Sequence, residues 1–225
     1  MARVQSIKIL KDKEPVATLE VANNHNFYAN GILVKNSEKP LPAYSTCNLA
    51  SINMGKVPHI FDKNFIPYIE QKANSIVRHQ DNVIQYEIDN SHKCPLPQQL
   101  EAIYNLREIG IGVTNIHMWL YKQGMEYDSD EGISAIETFY KYYAYYIFKS
   151  SCELAKERDP CPAWKKIFDK EGVLGLQSRE TKYLRFMFDQ FPDLEKLYYT
   201  TGIRNAALLS QAPTGSISLT FSGDC

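Results

Sequence analysis

The stretch Ala29–Met54 reads ANGILVKNSEKPLPAYSTCNLASINM and changes character at Asn36-Ser37. Ahead of that pair, Asn30-Gly31 marks a tight turn and Ile32–Val34 is a short β-prone run that stops at an amide. Behind it comes a loop rich in Pro and small residues, then a small-residue turn bearing Asn48 and Asn53. Further upstream, VQSIKIL (Val4–Leu10) and VATLEV (Val16–Val21) read as strands separated by the turn KDKEP. A segment of 36 residues with a few short strands cannot bury a core of its own. Residues 1–36 therefore read as part of a β domain completed elsewhere, and Asn36/Ser37 is the one boundary drawn in the chain.

From Ser37 onward the pattern is mainly helical. Periodicity predicts a helix from about Asn64 to Tyr86 with Ile66, Ile69, Ala73, Ile76 and Val77 on one side. CPLP (Cys94–Pro97) breaks it, and a further helix is expected from about Gln98 through NLREIGIGVTNIHMWLYKQG, with Gly110, Gly112 and Gly124 making it unusual. The longest helix is expected over Asp130–Arg158, capped by Asp128, Ser129 or Asp130 and stopped by RDPCP. Shorter helices are expected near Arg179–Gln190 and Pro192–Thr200, and Gly202–Cys225 reads as strand, Gly-bearing loop, strand. The tyrosine-rich run FYKYYAYYIFK (Phe139–Lys149) reads as core or subunit packing rather than a radical relay.

Composition narrows the function classes. The 225 residues carry 25 Lys+Arg against 26 Asp+Glu, a balance that leaves no electrostatic footprint for nucleic acid or for a membrane surface. At 44% hydrophobic and 23% charged the chain is globular material. It has neither a signal-like apolar segment nor a run long enough to span a bilayer, so a cytoplasmic location is expected. Cys47, Cys94, Cys152, Cys161 and Cys225 are widely spaced without a CxxC pair, which suggests neither a disulfide scaffold nor a metal site.

Two features carry chemistry. An Asn side-chain amide can attack its own carbonyl and cleave the chain, and a neighbouring Ser hydroxyl can first accept an acyl group, given imposed geometry and a His as acid or base. The string APTGSIS (Ala212–Ser218) offers Gly and small hydroxyl residues whose backbone N–H groups can face a phosphate. It lacks the Lys of a P-loop, and in isolation a plain turn is the simpler reading.

In full, VATLEVANNHNFYANGILVKNS closely resembles the C-terminal splicing motifs of inteins. The resemblance implies that His25 assists acyl transfer, that Asn36 cyclises, and that Ser37 is the first extein residue and transesterification nucleophile. Lys35 stands where many inteins have His. The size matches the C-terminal half of a split intein, with a partner chain carrying the N-terminal half; a stray hairpin and an inactive relic of splicing are the alternatives.

The strings SEKPLPAYSTCNLASINM (from Ser37), NLREIGIGVTNIHMWL (from Asn105), SCELAKERDPCP (from Ser151) and GIRNAALLSQAPTGSIS (from Gly202) together resemble the large catalytic subunit of ribonucleotide reductase. They look most like the adenosylcobalamin-dependent class II enzymes, while sharing motifs with class I. The resemblance implies a mixed fold. Residues 1–36 would be a short β-rich, HINT-type segment, and residues 37–225 an incomplete part of the α/β ten-stranded reductase barrel. It implies that Glu38 takes the 3′-hydroxyl proton of the ribose and that Cys47 is one of the two cysteines oxidised to a disulfide as the 2′-carbon is reduced. It also implies that Ala212, Pro213, Thr214, Gly215, Ser216, Ile217 and Ser218 bind substrate phosphates. Cys94, Cys152 and Cys161 match no catalytic position and read as structural. Cys225 ends the chain inside the expected barrel, as a fragment end or the start of a second intein.

The implied partners are an upstream split-intein and reductase chain bearing the radical cysteine, a ribonucleotide substrate and a thioredoxin-like reductant. The implied cofactor is adenosylcobalamin, with its platform mostly outside this chain. Trans-splicing would precede activity. A class I fragment, or an unspliced and inactive barrel fragment, remain open beside this reading.

Overall fold

The computed structural model of the protein describes residues 26–29, 32–35, 41–94 and 96–221. The chain divides into two compact units, Met1–Glu38 and Lys39–Cys225. In the first, strands β1 (Asn26–Ala29) and β2 (Ile32–Lys35) pair antiparallel with Asn26 opposite Lys35 and Ala29 opposite Ile32. The tight turn expected at Asn30-Gly31 lies outside the described residues. The expected strands over Val4–Leu10 and Val16–Val21 lie outside the described residues.

The second unit is mostly helical around a small parallel sheet. Strand β3 (Asn48–Asn53) is followed by helices α1 (Phe65–Asp89) and α2 (Pro97–Leu106), and then by strand β4 (Ile109–Thr114). The strands pair in parallel, Asn48 opposite Ile109 through Asn53 opposite Thr114, so α1 and α2 form the crossover that parallel pairing requires. After β4 come α3 (Ile116–Gln123), α4 (Asp130–Arg158), α5 (Pro162–Gln177), α6 (Lys182–Gln190), α7 (Pro192–Thr201) and α8 (Gly215–Phe221). Residues 206–211 run beside β4: Ile109 N donates to Ala207 O at 3.0 Å, Ile111 N to Leu208 O at 2.8 Å, and Ser210 N to Ile111 O at 3.1 Å.

The two long helices form because their patterns and ends agree. Phe65, Ile69, Ala73, Val77 and Ile84 recur along one face of α1 and are buried. Helix α4 begins where Ser129 Oγ accepts from Gly132 N at 3.0 Å, with Asp130 and Glu131 in its first turn and Lys156 and Arg158 in its last. It ends at Asp159, whose backbone is left-handed (φ 66), just before Pro160. The tyrosine-rich run sits in the core, as expected: Phe139, Tyr143 and Ile147 are fully buried and α4 packs along α1. Burial pushes the Tyr143 hydroxyl's pKa well up, and that hydroxyl donates to Gly112 O at 3.1 Å.

Several expectations are corrected. The segment after Gln98 is not one irregular helix: α2 ends at Leu106, and Ile109–Thr114 is a fully buried strand. Ile109, Ile111 and Val113 alternate with Gly110 and Gly112 at period two, a strand pattern. Arg107 (φ 48) and Asn115 (φ 62), both left-handed, turn the chain at either end of it. Asn48–Asn53 is likewise a strand and not a turn, because β4 offers it a hydrogen-bonding edge. The chain after Thr214 is a helix and not a strand. Ser218 N closes a turn on Thr214 O at 2.8 Å, and no strand among the described residues lies alongside to satisfy the backbone otherwise. Helix α5, which the sequence reading did not anticipate, starts with Pro162 in its first turn and breaks its helical dihedrals at Gly172 (φ 64).

A single buried carboxylate ties these elements together. Asp81, midway along α1, accepts from Arg107 Nε at 2.8 Å. Its two oxygens each lie 3.3 Å from Arg204 Nε, and Arg158 Nη1 lies 3.4 Å away. Asn205 Nδ2 reaches Asp81 at 3.4 Å and Arg107 O at 2.9 Å, while Ser151 Oγ donates to Asn205 Oδ1 at 3.0 Å. A charge taken out of water must be paired, and this one is shared by the ends of α2 and α4 and the segment after α7.

Candidate active site

Strand β4 is the floor against which Cys47 and the chain leading to Ala212 rest. Its two glycines are required by close approach. A Cβ on Gly110 would lie 2.6 Å from Leu49 Cδ2, 2.8 Å from Cys47 Sγ and 2.9 Å from Ser210 Cβ. A Cβ on Gly112 would lie 2.5 Å from Ser210 O. Bare backbone at these positions lets the Cys47 thiol and the chain leading to the expected phosphate loop rest against the same strand. Cys47 is half-buried at the entry to β3. The loop that carries it is pinned by a short hydrogen bond from Ser45 Oγ to the buried carboxylate of Glu108, beside β4.

Where the main-chain ladder beside β4 gives out, a side chain continues it. Gln211 Oε1 accepts from Val113 N at 3.1 Å and Gln211 Nε2 donates to Val113 O at 2.7 Å. Tyr140 OH adds a long contact to Gln211 Oε1 at 3.4 Å. Beyond Gln211 the loop Ala212–Thr214 leads into α8, and Thr214 Oγ1 donates to Thr114 Oγ1 at 3.2 Å. Thr214 holds a left-handed backbone (φ 58) as the chain turns into the helix. Gly215, Ser216 and Ile217 open α8 and are exposed. First-turn N–H groups of a helix have no intrahelical partner, and such groups with small hydroxyls are what a phosphate oxygen accepts from.

The structure thus brings Cys47 and Ser210, two residues before Ala212, to one point on β4. His25, Asn36, Ser37 and Glu38 lie outside the described residues. Of the other cysteines, Cys152 and Cys161 are fully buried, and burial raises the pKa of both thiols, as expected of structural residues. Cys94 is half-buried with its sulfur 3.6 Å from Leu96 O. The sequence reading does not single out Gln211, Ser210, Glu108 or Ser45; the period-two glycines opposite them are the signal that could point to a close contact, and they read there as irregularities of a helix. Among the described residues no group of three or more His, Cys, Asp or Glu side chains could hold a metal ion, and no helix is long and apolar enough to cross a membrane.

A two-stranded parallel sheet, a thiol beside it and a glycine-bearing loop beyond its end make up the candidate site. Residues 17–224 match the family model described as ribonucleotide reductase, barrel domain, and the chain belongs to that family. Similar proteins include the ribonucleoside-diphosphate reductase subunit alpha of Chlamydia muridarum, 31% identical over 185 residues covering 77% of this chain and 17% of that protein. The vitamin B12-dependent ribonucleoside-diphosphate reductase of Thermoplasma acidophilum is 28% identical over 185 residues, covering 81% of this chain and 20% of that protein. The enzyme of the same description from Mycobacterium tuberculosis is 28% identical over 182 residues, covering 81% and 21%. The chain spans about a fifth of the length of these curated relatives.

Proposed function

We propose that residues 37–225 supply part of the catalytic barrel of a ribonucleotide reductase. In this reading Cys47 is one thiol of the redox pair, Glu38 is the carboxylate that takes the 3′-hydroxyl proton, and Ala212–Ser218 holds the substrate phosphates. The observation that carries it is the convergence of Cys47 Sγ and Ser210 on Gly110, which sets a thiol beside the root of the loop. A thiol that is to exchange with an external dithiol needs access, and Cys47 is half-buried where Cys152 and Cys161 are sealed. The relatives' names of both kinds specify ribonucleoside diphosphates, which favours a diphosphate substrate. Adenosylcobalamin is the cofactor proposed for the assembled enzyme, on the likeness to the B12-dependent relatives. The test is turnover of a ribonucleoside diphosphate by the assembled enzyme with and without adenosylcobalamin. Cys47→Ser should abolish multiple turnover with a dithiol reductant; full activity of that variant refutes the assignment. Activity without the cofactor moves the chain to class I.

We further propose that residues 1–36 are the C-terminal half of a split intein and that trans-splicing joins Ser37 onward to an upstream chain. His25, Asn36 and Ser37 would act as acid or base, cyclising amide and acyl acceptor. The hairpin of β1 and β2, ending one residue before Asn36, is consistent with the splicing motif. A second reading is favoured by the family match itself, which begins at residue 17 and so runs across Asn36-Ser37. There the chain stays intact. Mixing with the upstream chain, followed by intact-mass measurement, separates the two. Splicing releases a fragment of 36 residues and yields a ligated product, and Asn36→Ala blocks release. An unchanged mass with the true partner eliminates splicing.

A further inference from the structure

The Asp81 cluster holds more positive charge than its partners neutralise. Among the described residues Asp81 is the only carboxylate within ion-pair distance of Arg107 and Arg204, and Arg158 shares it with Glu157. Arg107 and Arg204 are 2% and 8% exposed. Each of the three guanidinium groups also has a terminal nitrogen without a hydrogen-bond partner among the described residues. Arg107 bonds through Nε and Nη2 and not Nη1, while Arg158 and Arg204 bond through Nη1 and not Nη2. Burial lowers the pKa of Arg107, Asp81 opposes the shift, and the like charge of Arg204 adds to it. A buried cation with unspent donors is costly unless an anion meets it.

All three arginines line one open cleft of about 810 Å³ between the ends of α2, α4 and α5. Lys165, Lys166 and Lys170 of α5 line it as well and are exposed. Lys165 is paired with Asp169 at 3.4 Å, Asp159 also lines the cleft and Glu171 stands near Lys170; the three arginines and three lysines still outnumber Asp81, Glu157, Asp159, Asp169 and Glu171. Forked donors arranged around a common opening suit a tetrahedral oxyanion, which can accept from several guanidinium groups at once.

We propose that this cleft binds a phosphate-class anion, with Arg107, Arg158 and Arg204 as the donors and Lys166 and Lys170 as the charges that draw it in. The same chemistry serves a free inorganic anion or the phosphates of a nucleotide; half-exposed Tyr104 on the same wall offers a face for a base. This inference does not rest on the reductase reading.

The test is calorimetric titration of the full chain with pyrophosphate and, separately, with ADP at low ionic strength, where screening is weak. One-site binding with Kd below about 1 mM is expected. Both lysines are exposed, so Lys166→Glu/Lys170→Glu should retain its circular dichroism and melting curve while weakening pyrophosphate at least roughly tenfold, the scale of reversing charges about 10 Å from a dianion. Tighter binding of ADP that Tyr104→Ala removes assigns a nucleotide-borne phosphate; equal affinities assign the anion alone, and either outcome supports the site. Absence of saturable binding overturns the proposal. So does binding that the lysine double variant leaves unchanged, since the anion would then sit elsewhere, as on the Ala212–Ser218 loop.

Discussion

Gln211→Leu should cost the chain about 2 kcal/mol and loosen the loop that follows. The side chain makes both hydrogen bonds that a strand neighbour would make to Val113, at 3.1 Å and 2.7 Å. Each neutral hydrogen bond contributes roughly 1 kcal/mol net, and a buried group left without a partner costs about 1–3 kcal/mol. Val113 is fully buried, but both bonds are only partly shielded and water can reach them once the amide is gone, so the low end applies. The assay is urea unfolding followed by circular dichroism, with hydrogen exchange at the Val113 amide as a local readout. The m-value should stay constant while the midpoint falls. Gln211→Glu extends the test. Its ionised carboxylate could accept from Val113 N but would oppose Val113 O, so it should be worse than Leu at neutral pH. The protonated form can donate to that oxygen, which raises the carboxyl's folded pKa above its unfolded value. Stability of this variant should therefore be highest in acid and fall as pH rises through the folded pKa. A Gln211→Leu midpoint equal to wild type, with Val113 exchange unchanged, would refute the view that this side chain carries the ladder.

Gly110→Ala should destabilise by about 1–3 kcal/mol through overpacking, because the added carbon would meet Leu49, Cys47 and Ser210 inside 3.0 Å. It should also change the alkylation rate of Cys47 read by peptide mass spectrometry, whereas an unchanged rate and melting temperature would show that the contact is slack. Glu180 has a buried carboxyl oxygen with no hydrogen-bond partner, and burial raises its pKa despite Arg185 at 3.6 Å. A raised folded pKa means its contribution to stability is greatest in acid and is lost as pH rises, so Glu180→Gln should gain on wild type toward neutral pH and lose that advantage below the ordinary carboxylate range. Denaturation midpoints across pH that show a gap growing in acid would contradict this.

The long helices were legible because pattern and punctuation coincide: apolar spacing along α1, and a serine cap with a proline stop around α4. Strand β4 was not, because six residues flanked by helical sequence leave little room for a period to declare itself, and its glycines looked like helix defects. They answer to Cys47, Leu49 and residues 210–211, contacts that no local window contains. Of the site, Cys47 and the Ala212–Ser218 loop were named from motif strings, yet the strings do not say what holds them in place. Gln211 acts as a strand residue through its side chain, and nothing in its neighbours signals that. Asp81 sits in NSIVRHQDNVI, where a charged residue reads as the wet side of a helix; its partners lie 26, 77 and 123 residues away.

Those separations have a consequence for how the chain is made. During synthesis Asp81 and the helix that carries it leave the ribosome long before Arg158 and Arg204 exist, so a nascent chain can bury that carboxylate against Arg107 alone. The segment after α7, which also lies beside β4 and leads to Gln211, is the last of the cluster to arrive. Long-range closures of this kind are slow, and partly assembled sheets expose edges while they wait. A chain stalled before Arg204 should be held by chaperones or cleared by proteases, and emergence of the segment from Arg204 to Gln211, rather than early helix formation, should set the moment at which this unit gains protease resistance.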